Sequence, residues 1–378
     1  MLQVVRTSTV LSDGRELIYY DASPQPGRDA PDRRQLPAAQ PECELRFDPF
    51  QRSWVMYAGQ RQDRTFLPSA SECPFCPSTD TRFTEIPARD YEVAAFENRF
   101  PALTGFSGTA TQGAPVGPAV PVGPAVPMGP SGKLLQARPS AGRCEVVCFT
   151  SDHNATFADL SPDRARLVTA ALIDRTRELS ALPGVEQVYC FENRGREIGV
   201  TQIHPHGQIY AYPFVTPRTR RMLGGARAYA RTTGRNLFED ALAAESADGS
   251  RVVLAGRHWI AFVPHAVRWP YEVHLYPLRR VPDLASLDTS ELAELAAAEL
   301  DLLGRFARLF DEPTPYIAAW HQAPVRTGRE HFALHLELFT VRRSNDKLKY
   351  LAGSESGMDA FADDIMPEQA AARLRDLG

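Results

Sequence analysis

Two histidines, a glycine and a glutamine stand together in His204-Pro205-His206-Gly207-Gln208, between the apolar residues Ile203 and Ile209. In an extended strand, residues two apart share a face. His204, His206 and Gln208 are therefore expected on one side, with Ile203, Pro205, Gly207 and Ile209 on the other. Pro205 favours an extended conformation at His204 and does not belong in the middle of a paired ladder. Gly207 carries no side chain, so a bulky anion can approach the backbone beside His206. One histidine on a strand is ordinarily a satisfied structural residue. This run, set between apolar strand residues, reads instead as a site that receives an anion.

A second chemistry-bearing group is Cys73-Pro74-Phe75-Cys76-Pro77. A Cys-x-x-Cys pair serves zinc, redox chemistry or neither. No helical pattern of the thioredoxin type follows it, which weakens the redox reading. Cys43, Cys144, Cys148 and Cys190 lie in or beside strand patterns and are expected as core thiols.

The elements that position these groups read as a repeated theme. CEVVCFT is a strand, and Ser161-Pro162-Asp163 caps a helix with proline at its first position. VEQVYCFEN and TQIHPHGQIYAYPF read as two further strands. In the second half, SRVVLAGRHWIAFVPHA, YEVHLYPL and HFALHLELFTV read as strands, and LDTSELAELAAAELDLLGRFARLF as a helix. The same element order in both halves predicts an internally duplicated α+β fold, an antiparallel sheet with helices packed on it. ELRFDPFQRSWVMYAG reads as a hairpin about Asp48-Pro49.

Residues 1–41 read as an N-terminal extension whose Pro-, Arg- and Ala-rich stretch from Ser23 to Gln40 is an exposed connector. Residues 42–215 form the first half and 216–345 the second, with a tail at 346–378. The Pro/Gly-rich repeat PVGPAVPVGPAVPMGP within 114–132 reads as an inserted surface loop. The net charge of −4 gives no basic excess for a nucleic-acid backbone. No apolar run is long enough to span a bilayer, and no signal peptide is recognisable. Six cysteines among 378 residues do not make a disulfide scaffold, so a cytoplasmic protein is expected. No Gly-rich phosphate loop is present, so nucleotide handling would need other groups.

The histidine run resembles the active-site strand of the galactose-1-phosphate uridylyltransferases, a branch of the histidine-triad superfamily. The resemblance extends through Arg61 and Arg64, Cys73 and Cys76, Phe96-Glu97-Asn98, Asp152-His153, Phe191-Glu192-Asn193-Arg194-Gly195, Trp320-His321-x-Ala323-Pro324 and Lys349. It implies a histidine-triad-like fold built on a half-barrel of antiparallel sheet. It also implies a double displacement in which His206 takes a uridylyl group from UDP-glucose and passes it to galactose 1-phosphate. Imidazole suits that role, because it is neutral near pH 7 and its phosphoramidate stays reactive. The resemblance assigns Gln208 to a phosphate oxygen and Thr201 to a second phosphate contact. Arg61 and Arg64 would neutralise phosphate charge, and Asn98 and Asn193 would hold the nucleotide. The rivals are an ADP-sugar or dinucleoside-polyphosphate phosphorylase with the same histidine chemistry, and a nucleotide-binding regulator without turnover.

The resemblance also supplies His153 and His204 as partners of Cys73 and Cys76 in a closed, structural zinc site. Some members carry a second metal held by one glutamate and three histidines. His321 and His335 match two of those positions. The last histidine position holds Glu337, and residues 216–223 offer Arg218, Arg220 and Arg221 but no acid. What remains is a His321, His335, Glu337 set that serves either iron or zinc or structural hydrogen bonding. His258, His265, His274 and His331 are expected to be structural. In a family homodimer the C-terminal segment reads the sugar in the partner's site. Lys349 and Glu355 correspond to that segment, with Ser354 where the family has tyrosine.

Overall fold

The structure is a computed structural model that describes residues 4–38, 43–63, 66–105 and 134–378. Arg64 and the repeat at 114–132 lie outside the described residues. Eleven strands run side by side: β1 (Val5–Val10), β2 (Glu16–Asp21), β3 (Val93–Glu97), β4 (Ala141–Cys148), β5 (Gln187–Arg194), β6 (His206–Tyr212), β7 (Val252–Ala255), β8 (Trp259–Phe262), β9 (Val273–Pro277), β10 (Tyr316–His321) and β11 (His335–Phe339). Their spatial order is β1-β2-β3-β4-β6-β5-β10-β11-β9-β8-β7, every neighbour antiparallel. A short twelfth strand, Thr104–Gly105, runs parallel beside β4.

The order shows the duplication. The first half contributes β3-β4-β6-β5 and the second β8-β9-β11-β10, so the two halves meet edge to edge at β5 and β10. Each half has one long helix between its second and third strands, α1 (Pro162–Ala181) and α3 (Thr289–Ala307). Ser161 caps α1 through its hydroxyl, with Pro162 behind it. Asp288 and Glu291 form a reciprocal capping box on α3. Both helices pack against each other and cover one face of the sheet. Strand alternation sends Val147, Val188, Cys190, Ile209, Ala211, Leu275, Trp320, Leu336 and Leu338 into that core with Leu167, Val168, Leu302 and Phe306. The polar and aromatic residues between them emerge on the other face.

That second face is closed over the second half by α2 (Pro217–Thr233), which begins just after β6. The expected hairpin is also present, Cys43–Asp48 pairing with Ser53–Ala58. Its turn is fixed by Asp48, whose carboxylate accepts from the backbone N–H of Phe50 and Gln51.

The N-terminal region departs from the expected connector. β1 and β2 form a hairpin that continues the main sheet, β2 pairing with β3. Two arginines of the stretch that reads as exposed, Arg28 and Arg34, are held by carboxylates. Arg28 forks onto Asp21 at 2.7 and 2.8 Å, and Arg34 bridges Asp32 and Glu85, each at 2.8 Å. Removing one member of such a buried pair costs about 3–5 kcal/mol, which ties this stretch to the domain.

Candidate active site

His206 is the first residue of β6, so the strand starts later than expected and His204 lies before it. Pro205 explains the boundary, since it lacks the N–H a ladder needs. The His206 imidazole turns back on its own chain, with Nδ1 2.7 Å from the His204 carbonyl oxygen. A carbonyl only accepts, so Nδ1 carries the hydrogen and Nε2 keeps its lone pair. Burial pulls the His206 pKa down, and the nearby charge of Arg194 adds to that effect. The ring is therefore neutral near pH 7, the form that attacks an electrophile. Gly207 faces the helical side. A Cβ there would lie 3.0 Å from the Phe149 ring and 3.2 Å from the Phe191 carbonyl. Packing beneath the strand thus accounts for the glycine.

Two cavities meet at His206. One, of about 310 Å³, is lined by Phe75, Phe96, Asn98, Thr201 and Gln208 as well as His206. The other, of about 400 Å³, takes in Glu192, Asn193, Arg194, Arg342 and Thr314 beside the same histidine. Asn98 also closes a turn, accepting from the Phe100 N–H at 2.9 Å. Arg61 is placed elsewhere along β6, bonded to the Tyr210 hydroxyl at 3.3 Å. Arg194 emerges as a site residue that sequence reasoning quoted only as part of a motif. Its guanidinium makes two long contacts, to the carbonyls of Ala155 at 3.5 Å and Ile203 at 3.4 Å. Among the described residues it has no ion pair with a carboxylate.

Cys73, Cys76, His153 and His204 come together from three segments, with their ligand atoms within 4.8 Å of one another. The Cys76 sulfur is 3.5 Å from His153 Nδ1 and 3.6 Å from His204 Nδ1. A tetrahedral zinc with bonds of about 2.3 Å to sulfur and 2.05 Å to nitrogen separates those atoms by about 3.6 Å. The residues therefore fit the ion. Both imidazoles turn Nδ1 inward, and the outer nitrogen of His204 is held by its surroundings. Its Nε2 lies 2.8 Å from the Thr150 carbonyl and 2.7 Å from the Tyr91 hydroxyl, which itself donates to the Phe75 carbonyl. Burial pulls the His204 pKa down to about 4, leaving its Nδ1 lone pair available, and pushes the Cys73 thiol up to about 12. A thiolate at Cys73 thus calls for a bound cation.

The chain matches the family models for galactose-1-phosphate uridyl transferase, the N-terminal domain over residues 28–216 and the C-terminal domain over 223–378. It is 48% identical to a galactose-1-phosphate uridylyltransferase of Streptomyces lividans, over 98% of each chain. The chain belongs to the galactose-1-phosphate uridylyltransferase family. It is 34% identical to the Thermotoga maritima enzyme of that name, over 88% of this chain and 98% of that one. Among solved structures, a uridylyltransferase superposes with a TM-score of 0.72 at 30% identity, covering 88% of this chain and 98% of the other. An ADP-glucose phosphorylase from Arabidopsis thaliana shares the fold, with a TM-score of 0.64 at 21% identity over 88% and 98%.

His321, His335 and Glu337, expected as a second set of ligands, come together. Here β9, β10 and β11 lay out a four-residue patch: His321 opposite His335, and His274 opposite Glu337. His274, expected to be structural, is thereby brought into the group. His274, His335 and Glu337 have ligand atoms within 4.8 Å of one another and by distance could hold an ion. His321 Nε2 is 3.3 Å from Glu337.

The family's tail residues lie at neither cavity within the chain. Lys349 is bound to its own fold, donating to the carbonyls of Arg268 and Ala362 and pairing with Asp363 at 3.3 Å. Glu355 sits in a short helix, Gly353–Met358, beyond it. Among the described residues, no helix is long and apolar enough to cross a membrane.

Proposed function

We propose that the chain transfers a uridylyl group between UDP-glucose and galactose 1-phosphate through a covalent intermediate on His206. The observation that carries this reading is the pair of cavities meeting at one neutral imidazole whose Nε2 has no hydrogen-bond partner among the described residues. Nε2 attacks the α-phosphorus, a nitrogen–phosphorus bond forms, and the bond to glucose 1-phosphate breaks. Galactose 1-phosphate then attacks the same phosphorus and releases the imidazole. The leaving group is itself a phosphate, so it needs no strong general acid. Positioning and charge neutralisation supply most of the acceleration.

Gln208 and Thr201 lie in the cavity with Phe75 and Phe96, which suits a nucleotide whose base stacks on an aromatic ring. Asn193 and Arg194 face the phosphates from the other side. Zinc at Cys73, Cys76, His153 and His204 serves as a closed structural ion, fixing the chain just before β6. His206 is thereby aimed before substrate arrives. The active form is a cytoplasmic homodimer in which Lys349 and Glu355 of one subunit read the sugar of the other.

The test is a partial reaction. UDP-glucose and labelled glucose 1-phosphate should exchange label without galactose 1-phosphate, and mass spectrometry should find uridylyl on the protein. His206→Asn should abolish exchange while keeping its metal and fold, and Gln208→Ala should slow it. Exchange that persists in His206→Asn would replace the covalent route with direct transfer.

A further inference from the structure

Glu337 is the centre of the second cluster, and its surroundings are unlike a metal cage. The carboxylate is 2% exposed, and one guanidinium nitrogen of Arg218 lies 2.8 Å from Oε1 and 2.6 Å from Oε2. That nitrogen occupies the fork between the oxygens, the position a chelated cation takes. Arg218 comes from the first turn of α2, which lies over this face of the sheet.

The imidazoles around Glu337 present mostly N–H groups. His274 Nε2 is 2.9 Å from Glu272 Oε1, and a carboxylate accepts only, so this nitrogen carries hydrogen. His321 Nε2 faces Glu337 Oε2 at 3.3 Å, an approach that a carboxylate favours when the nitrogen carries hydrogen. His335 gives its Nδ1–H to the Ala333 carbonyl at 2.9 Å, so in the neutral ring its Nε2, 3.4 Å from Glu337 Oε1, is a lone pair. A metal needs several lone pairs at once. Donors converging on an ionised carboxylate build an anion site instead.

Two departures from the family resemblance meet here. Where it puts an acid, the stretch 216–223 holds Arg218, Arg220 and Arg221 and no acid; where it puts a histidine, this chain has Glu337. Arg218 and Glu337 are in contact. We infer that the Arg218 guanidinium is the resident cation of this cluster, in the place of a second metal ion, and that it pins α2 to β11. A dication added beside an already neutral Arg218–Glu337 pair would leave excess positive charge in a buried place.

Metal content of the full-length protein tests this. After saturation with zinc, iron(II) or cobalt(II) and desalting, the wild type should keep about one equivalent per chain. Cys76→Ser should lose it, whereas His335→Ala and Glu337→Gln should not. Arg218→Met frees the carboxylate and should acquire a second cobalt with a visible ligand-field band, which Arg218→Met/Glu337→Gln should lack. Arg218→Met and Glu337→Gln should each lower the thermal midpoint, and the double variant should fall by less than their sum. A second equivalent in the wild type that Glu337→Gln or His274→Ala removes would overturn the inference. So would a folded Arg218→Met that gains no metal. If Arg218→Met does not fold, the wild-type and Glu337→Gln counts decide the question alone.

Discussion

His206 and His335 occupy the same place in the two halves of the sheet. Each opens its strand, and each gives its Nδ1–H to the carbonyl two residues earlier, at 2.7 Å to His204 and 2.9 Å to Ala333. Beyond that they part. His206 borders both cavities, whereas the His335 ring is stacked between Tyr276 and His321, at centroid distances of 4.7 and 5.0 Å. The duplicated strand geometry aims both imidazoles the same way, and the aromatic neighbours close one of them off. One reactive histidine per chain follows from that packing.

The four-residue cluster before β6 should behave as a folding element. Purified protein is expected to hold about one zinc, and Cys76→Ser should lose the metal and a large part of the thermal stability together. Elemental analysis alongside calorimetry checks it. Stoichiometric metal in both Cys73→Ser and Cys76→Ser would remove the site.

Residues two apart on a strand, helix caps and a Cys-x-x-Cys pair are local signals, and they were legible. Ser161, Cys73 and Gln208 stand where their types demand, whereas the Asp288 cap lies inside a run that reads as helix throughout. What could not be read was register. His274 meets Glu337 only because β9 and β11 pair in one alignment, and nothing within YEVHLYPL encodes it. Arg28 and Arg34 misled for a related reason. A charged, proline-rich stretch reads as solvated unless its carboxylate partners, Glu85 among them, are known to lie opposite.

Two buried carboxyls should make stability fall as pH rises. Burial lifts Glu192 to about 7 and Glu299 to about 8, the charge of Glu192 adding to the shift at Glu299. The Tyr316 hydroxyl donates to Glu192 at 2.9 Å, while one Glu299 oxygen has no hydrogen-bond partner among the described residues. Unfolded glutamate titrates near about 4.3, so between that pH and about 8 the folded state holds protons that the unfolded state has released. Their stabilising contribution is complete below the unfolded value and disappears above the folded one. Glu299→Gln should match the wild-type midpoint near pH 5 and exceed it above pH 8. Calorimetry across that range checks the prediction, and a wild-type midpoint that is flat with pH would contradict it.

The proposed sharing of sites between two subunits predicts complementation. Lys349 lies at neither cavity of its own chain, so Lys349→Met and His206→Asn should each be inactive for reasons that sit in different subunits. Random exchange in a two-fold dimer should restore roughly a quarter of the activity, one good site in half of the dimers. Subunit exchange followed by assay measures it. Full activity in a demonstrable monomer would end the idea.

Arg194 should set the acid limb of the reaction. Its guanidinium lines the cavity at His206, makes two long contacts to backbone carbonyls, and lowers the His206 pKa beyond what burial does. With no carboxylate partner among the described residues, it is available to a phosphate oxygen, where a charge-assisted bond strengthens as charge develops. Two consequences separate these effects. Arg194→Gln should lower kcat/KM by about 10²-fold or more, the loss typical of a donor aimed at developing charge. It should also shift the acid limb of kcat/KM to higher pH, because His206 without that neighbouring cation protonates more readily. Arg194→Lys should restore much of the limb, since the charge returns, but less of the rate, since the fork does not. A merely structural arginine would lower activity equally at every pH. Profiles of the three proteins from pH 5 to 9 distinguish the cases, and an unmoved limb in Arg194→Gln would remove Arg194 from the reaction.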